Sequence, residues 1–128
     1  MIEPRWLAVV HTLAIHSDQI QSHGGSLGLR DRGLLESAIE RSRTRLHYDP
    51  DAVSALAAAY GFGLASNHPF VDGNKRVAFQ SMYLFLGLNG FGIEALEEEV
   101  VTTILSLASG DLDESGLAAW LRQHISPR

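Results

Sequence analysis

The chain has 128 residues, of which 45% are hydrophobic, and this predicts one domain (1–128) with a single core. Its net charge of −5 argues against direct nucleic-acid binding, because contacts to the phosphate backbone need a surplus of lysine and arginine. It has no cysteine, no apolar run long enough to span a bilayer and no leader-like start, so disulfides, thiolate metal sites and membrane insertion are not expected, and the cytoplasm is the expected compartment.

Apolar residues recur at helical spacing along most of the chain, and this predicts an all-α fold. About six helices are expected, at roughly residues 6–20, 33–43, 49–67, 75–88, 96–108 and 114–125. Asp49-Pro50 is typical of a helix start, and Pro69 ends that helix because the residue before a proline is pushed out of the helical region. The fourth segment is apolar on almost every side, so we expect it to be the buried central helix of the bundle.

The stretch from Ser22 to Gly28 is rich in turn-forming residues and predicts a loop between the first two helices. It resembles phosphate-binding loops only weakly, so we interpret it as a turn or a mobile flap. Strand signals are weak elsewhere, and the β-structure that we expect is a short hairpin in this flap, near Gly25 to Leu29.

The segment that carries chemistry is His68-Pro-Phe-Val-Asp-Gly-Asn-Lys-Arg76, at the start of the fourth helix. Lys75 and Arg76 fall in the first helical turn, where the helix dipole already concentrates positive charge. A phosphate bound to the same N–H groups would reverse the resulting penalty. Gly73 lets such a ligand approach the backbone, and the Asn74 side chain either holds the tight turn or donates to a phosphate oxygen. These residues therefore predict a phosphate site.

Asp72 and His68 complete the predicted site. A carboxylate beside a phosphate needs a cation between them, and Mg²⁺ takes one or two carboxylates together with phosphate oxygens, so Asp72 is the expected metal ligand. His68 is the expected general base, on a loop that Phe70 anchors in the core. Taken singly, each of these residues also fits a plain cap, a turn or a solvated charge.

Two well-known nucleotide and metal motifs are absent from the sequence. The segment around Lys75 is not a Walker A motif, because the earlier glycine and the following Ser or Thr are missing. The chain also has no His-Glu-x-x-His, which makes a metal hydrolase the weakest of the enzymatic alternatives.

His-Pro-Phe-Val-Asp-Gly-Asn-Lys-Arg resembles the signature of the Fic/Doc superfamily, and Lys75 is the Doc variant of a position where Fic adenylyltransferases usually carry glycine. The resemblance extends over nearly the whole chain, through His16, Gly24-Gly25, the segments 28–31 and 34–38, and the segment 117–121 around Trp120. Phe79 stands where Fic proteins place a second, phosphate-binding arginine, and this disfavours transfer of AMP.

The resemblance implies a compact six-helix fold and transfer of a group from ATP, with Mg²⁺, to a hydroxyl of a target protein. For Doc it implies a toxin of a toxin–antitoxin pair that transfers the terminal phosphate to a threonine of elongation factor Tu. Carried over to this chain, it makes His68 the base, Asp72 the Mg²⁺ ligand and the four residues from Gly73 to Arg76 the phosphate-binding group, with Lys75 deciding which phosphate is transferred. The alternatives are a Fic-type adenylyltransferase and a catalytically silent module that binds an anion or a partner.

The sequence also bears on inhibition. Many Fic proteins carry an inhibitory helix marked Ser/Thr-x-x-x-Glu-Gly/Asn, and this chain has no such string. We therefore expect a separate antitoxin of the prevent-host-death type, whose disordered segment folds into a groove on the chain. Arg41, Arg43 and Arg45 are candidate contacts for its acidic residues, with a solvated basic helix end as the alternative.

Overall fold

The computed structural model describes residues 3–46 and 53–128 of the chain. Its elements, in chain order, are α1 (Val9–His23), α2 (Arg32–Leu46), α3 (Val53–Asn67), α4 (Asn74–Leu88), β1 (Phe91–Ile93), α5 (Glu97–Ser109), α6 (Glu114–His124) and β2 (Ile125–Pro127). The predicted all-α fold of six helices is confirmed for this part of the chain. The helix start predicted at Asp49-Pro50 lies outside the described residues.

The central helix is α3, so our assignment of this role to the fourth helix was wrong. Eleven residues of α3 are buried, and most of them are alanine or glycine. Such small residues let α2, α4 and α6 approach α3 on different sides at once. By contrast, α4 has fewer buried residues and leaves Tyr83 39% exposed and Leu88 36% exposed. The large apolar residues on almost every side of α4 therefore do not place this helix at the centre of the bundle.

The core lies between α3 and the helices around it. The large side chains with the least exposure come from α2, α3, α4 and α6, from the segment before α1 and from the loop after α3: Leu7, Leu35, Leu56, Tyr60, Leu64, Phe70, Val77, Met82, Phe85, Leu86, Leu117 and Leu121. Phe70 is notable among them because it belongs to a loop, yet it is only 2% exposed. The loop between α3 and α4 is therefore fastened to the core by an aromatic ring.

The β-structure differs from the prediction. The segment from Gly25 to Leu29 does not form a hairpin; instead, Leu29 makes a single antiparallel bridge with Phe70. Val71 donates its backbone N–H to the carbonyl of Gly28 at 3.0 Å, so the flap is paired with the loop that carries the predicted site. The two strands that do form, β1 and β2, were not predicted; they pair antiparallel with Gly92 opposite Ser126.

An ion-pair cluster joins α2 to the start of α6. Glu114 is 7% exposed and accepts hydrogen bonds from Nε of Arg41 at 2.6 Å and from Nη2 of Arg45 at 2.8 Å. The guanidinium of Arg43 lies over the ring of Trp6, at 5.2 Å from its centroid. Each of the three arginines proposed as contacts for a partner thus has a partner within the chain, while Arg41 and Arg43 remain exposed.

No helix among the described residues combines the length and the apolar character that crossing a bilayer requires.

Candidate active site

The predicted site lies on the loop of residues 68–73, between α3 and α4. His68 is exposed and has a φ of +49°, in the left-handed region that residues other than glycine rarely adopt. Gly73 is the N-cap of α4 and also has a left-handed backbone, with a φ of +80°. Two left-handed residues thus turn the chain sharply at both ends of the loop.

Asn74 holds this loop in shape from within. Its side-chain oxygen accepts the N–H of Phe70 at 3.0 Å, and its side-chain nitrogen donates to the carbonyl of Phe70 at 2.9 Å. The side chain is buried, so of the two roles left open for it the structure shows the one that holds the turn. The backbone N–H of Asn74 lies in the first turn of α4, where N–H groups have no partner within the helix.

The first turn of α4 lacks the usual partners of a helix N-terminus. It has no acidic residue and no side-chain cap. Within the described part of the chain, no group accepts a hydrogen bond from the backbone N–H of Asn74, Lys75 or Arg76. Three donors at the positive end of a helix are therefore available to an anion.

The two cations of this turn have different surroundings. Arg76 donates to the carbonyl of Gln19 at 3.3 Å and to that of Gly24 at 3.1 Å, at the C-terminal end of α1. The negative end of the α1 dipole thus offsets part of its charge. Lys75 is exposed and, together with Arg76, borders a groove of about 250 Å³ that Phe79 and residues of α5 also line. His68 does not line this groove.

Asp72 is an exposed carboxylate held by backbone donors. Its Oδ2 accepts the N–H of Ser26 at 3.2 Å and its Oδ1 accepts the N–H of Gly73 at 2.8 Å. These two hydrogen bonds, followed by the charge of Arg76, lower the pKa of Asp72 below its ordinary value of 3.8. The group is therefore ionised at neutral pH.

The residues at this position fit Mg²⁺. Asp72 is charged, exposed and retains acceptor sites on both oxygens. The described residues hold no group of three or more His, Cys, Asp or Glu side chains that could bind a metal by themselves. A cation at Asp72 would take its other ligands from phosphates and water, which is how Mg²⁺ is usually held.

His16 is among the residues that carry the family resemblance, but no role was predicted for it; in the structure it supports the site directly. Its ring stacks on Phe70 with 3.9 Å between the centroids and 7° between the planes. Its Nε2 lies 2.9 Å from the carbonyl oxygen of Asp72, so it donates a hydrogen bond there. The available signal was its place on the buried face of α1, four residues from Thr12 and from Ile20.

Arg30 was also missed. Its guanidinium donates to the carbonyl of His68 at 2.7 Å and to that of Asn67 at 2.8 Å. Its backbone N–H donates to the carbonyl of Pro69 at 2.7 Å. Arg30 lay within the segment 28–31 that carried the family resemblance, but nothing in the sequence alone linked it to the loop.

The orientation of the His68 ring follows from one contact. Its Nδ1 lies 3.3 Å from the carbonyl oxygen of Ser66. A carbonyl can only accept, so Nδ1 carries the proton when this hydrogen bond forms, and the lone pair of the neutral ring is then on Nε2. The geometry leaves Nε2 as the atom that can take up a proton.

Comparison with known proteins identifies the family. A sequence model described as the Fic/DOC family matches residues 6–86. Toxin Doc of Mycolicibacterium smegmatis is 39% identical over 108 residues, which cover 75% of this chain and 82% of that protein. Protein kinase doc of Escherichia phage P1 is 32% identical over 120 residues, which cover 93% of this chain and 94% of that protein. Because the family match covers more than half of the chain and includes the whole candidate site, the chain belongs to the Fic/DOC family, within which it is similar to the Doc proteins.

Proposed function

We propose that this chain is a Doc-type toxin that transfers the terminal phosphate of ATP to a Ser or Thr hydroxyl of a target protein. One observation carries the proposal: an exposed imidazole and an ionised carboxylate lie on a short loop that ends at an uncapped, cation-bearing helix N-terminus. A base, a metal ligand and a phosphate-binding group are what phosphoryl transfer needs. The name of the phage P1 relative, Protein kinase doc, supports the same chemistry.

Each residue of the site has a proposed role in the transfer. Nε2 of His68 accepts the proton as the target hydroxyl oxygen bonds to the terminal phosphorus, and the bond from that phosphorus to the bridging oxygen breaks to release ADP. The free N–H groups of α4 and the Lys75 ammonium hold the phosphate oxygens in place. Asp72 would hold Mg²⁺, which supplies neutralisation of the phosphate charge when it is bound.

Two residues favour phosphate over AMP as the transferred group. A long cationic side chain at position 75 fills space that a glycine would leave for the departing phosphates of AMP transfer. Phe79 contributes an aromatic ring to the groove beside Lys75, and a ring offers no charge to a second phosphate. The nucleotide is therefore proposed to bind with its terminal phosphate toward the acceptor.

The proposed partners follow from the same assignment. The target is proposed to be a threonine of elongation factor Tu or another translation protein, in the cytoplasm. The inhibitor is proposed to be an antitoxin of the prevent-host-death type, in line with the name Toxin Doc of the mycobacterial relative.

Expression in bacterial cells tests the function directly. Wild type, His68→Ala and the control His23→Ala, an exposed histidine at the end of α1, are expressed and the abundant translation factors are weighed intact. We expect a gain of about 80 Da with wild type and with the control, as for one phosphoryl group, and none with His68→Ala. A gain of about 329 Da would mean AMP transfer instead. No mass change in any target, without growth arrest, would leave the chain as a silent binding module.

A further inference from the structure

The carbonyl oxygens at the end of α3 share one donor residue. Arg30 binds the carbonyls of Asn67 and His68 through Nη2 and Nε, and the carbonyl of Pro69 through its backbone N–H. The N–H of Asp31 adds a second hydrogen bond to Pro69, at 3.0 Å. Three consecutive carbonyls of the loop are thus fixed from the α1–α2 connection.

These carbonyls surround the strained residue of the site. With a φ of +49°, His68 has a backbone conformation that persists only where its surroundings enforce it. The planar guanidinium fork binds the carbonyl before this residue and the carbonyl of the residue itself, and so restrains the two peptide planes that flank its Cα. The fork therefore restrains the backbone from which the imidazole projects.

We propose that Arg30 is a positioning residue for His68, holding its backbone so that Nε2 faces the acceptor hydroxyl; this rests on the proposed function. Arg30 is exposed and precedes the first residue of α2, so neither core packing nor the helix needs its side chain. Lysine cannot replace it, because an ammonium group lacks the flat two-donor edge that spans both carbonyls.

The test compares Arg30→Ala and Arg30→Lys with the control Arg32→Ala. Arg32 is also exposed, and its ion pair with Glu36 is long, at 4.0 Å. In phosphate transfer with Mg-ATP we expect Arg30→Ala to lower kcat by about 10- to 100-fold, since small misplacements of a reacting group have effects of that size. KM for ATP should change little, because Arg30 contacts none of the phosphate-binding residues. Millimolar guanidinium should restore part of the kcat of Arg30→Ala, while Arg30→Lys should remain impaired and Arg32→Ala should match wild type.

A second readout separates this inference from the proposed function. The ¹⁵N shifts of the His68 ring report its tautomer without any turnover. We expect mainly the Nδ1–H form in wild type and Arg32→Ala, and a mixture in Arg30→Ala and Arg30→Lys. If wild type transfers no phosphate, the proposed function fails while the ring shifts still decide the role of Arg30. Unchanged ring shifts in both Arg30 variants, or a wild-type kcat in Arg30→Ala, would overturn the inference, as would a loss of kcat that guanidinium does not restore in a folded variant.

Discussion

At the scale of single residues, Asp72 owes its lowered pKa first to backbone N–H groups and only then to a cation. The donor from Ser26 belongs to the flap, so a group 46 positions away in the sequence lowers the pKa of the proposed metal ligand. Because the folded pKa is lowered, the resulting stabilisation is present above the ordinary value of 3.8 and is lost as the pH falls through the folded pKa. The charge of the Asp72 carboxylate therefore does not change with pH near neutrality.

This origin of the low pKa can be tested at Ser26. Ser26→Pro removes the N–H that donates to Asp72, so we expect the pKa of Asp72 to rise toward its ordinary value in an NMR titration of the carboxyl carbon. Ser26→Ala keeps that N–H and should leave the pKa low. Equal pKa values in both variants would show that the flap does not lower the pKa of Asp72.

A pair of glycines in the flap allows a matched comparison. A Cβ on Gly25 would lie 2.6 Å from Oδ2 of Asp72, whereas a Cβ on Gly24 would meet nothing within 4 Å, although both residues have a positive φ. Each alanine costs about 1–3 kcal/mol of backbone strain, because both positions have a backbone conformation that glycine favours, but only Gly25→Ala displaces the carboxylate. We expect Gly25→Ala to lose about tenfold or more of the phosphate-transfer rate, with similar thermal unfolding for both variants. Equal activities would contradict this.

The limits of the sequence are clear at this scale. The charges of Asp72, Lys75 and Arg76 could be assigned to a helix N-terminus, because capping rules are local. The sequence could not show that Asn74 is occupied with Phe70, nor that Arg76 donates to α1, since side-chain partners depend on how distant segments are placed.

At the scale of elements, the position of α3 follows from its lack of side-chain volume. A Cβ on Gly63 would lie 3.1 Å from the Cα of Ala38, so α2 and α3 are in contact through their backbones. A helix period alone cannot reveal this, because small residues score as weakly apolar while they allow the closest packing. The same reasoning explains why β1 and β2 were missed: three residues each are too few for an alternating pattern, and their pairing joins parts of the chain far apart in sequence.

The close packing of α2 on α3 leads to a prediction about stability. Gly63→Ala must push two helix backbones apart, so we expect it to lower the free energy of unfolding by about 1–3 kcal/mol. In Gly87→Ala the new Cβ meets nothing within 4 Å, so this exposed helical position should gain about 0.5–1 kcal/mol from the better helix former. Urea denaturation measures both. Stabilisation by both alanines would show that α2 and α3 are not in backbone contact.

At the scale of the whole molecule, the core extends beyond the segment that the family model matches. Residues 6–86 include the candidate site, but α6 follows them and places Leu117 and Leu121 in the core with no exposure. Length and composition predict that the chain forms one domain. A single domain requires α6 to pack against the rest of the core, and α6 packs against α3.

Two tryptophans can test the single domain. Trp6 packs near Phe85 at 6.2 Å between ring centroids, and Trp120 stacks on His124 of α6 at 4.3 Å. Trp6→Phe and Trp120→Phe each leave one fluorescent reporter. We expect the fluorescence transition of each variant in urea to coincide with its far-UV circular dichroism transition, as for cooperative unfolding. Separate midpoints would indicate two units.

The hydrogen bonds that His16 and Arg76 make between α1 and the loop have a mechanical consequence. His16 donates from α1 to the carbonyl of Asp72, and Arg76 donates to the carbonyl of Gln19 in α1. Prising α1 away from α4 would break both links together and let the loop relax, although nothing had approached the imidazole. The geometry of the proposed active site thus depends on how α1 and α4 lie side by side, and a ligand wedged between them is expected to abolish the proposed phosphate transfer.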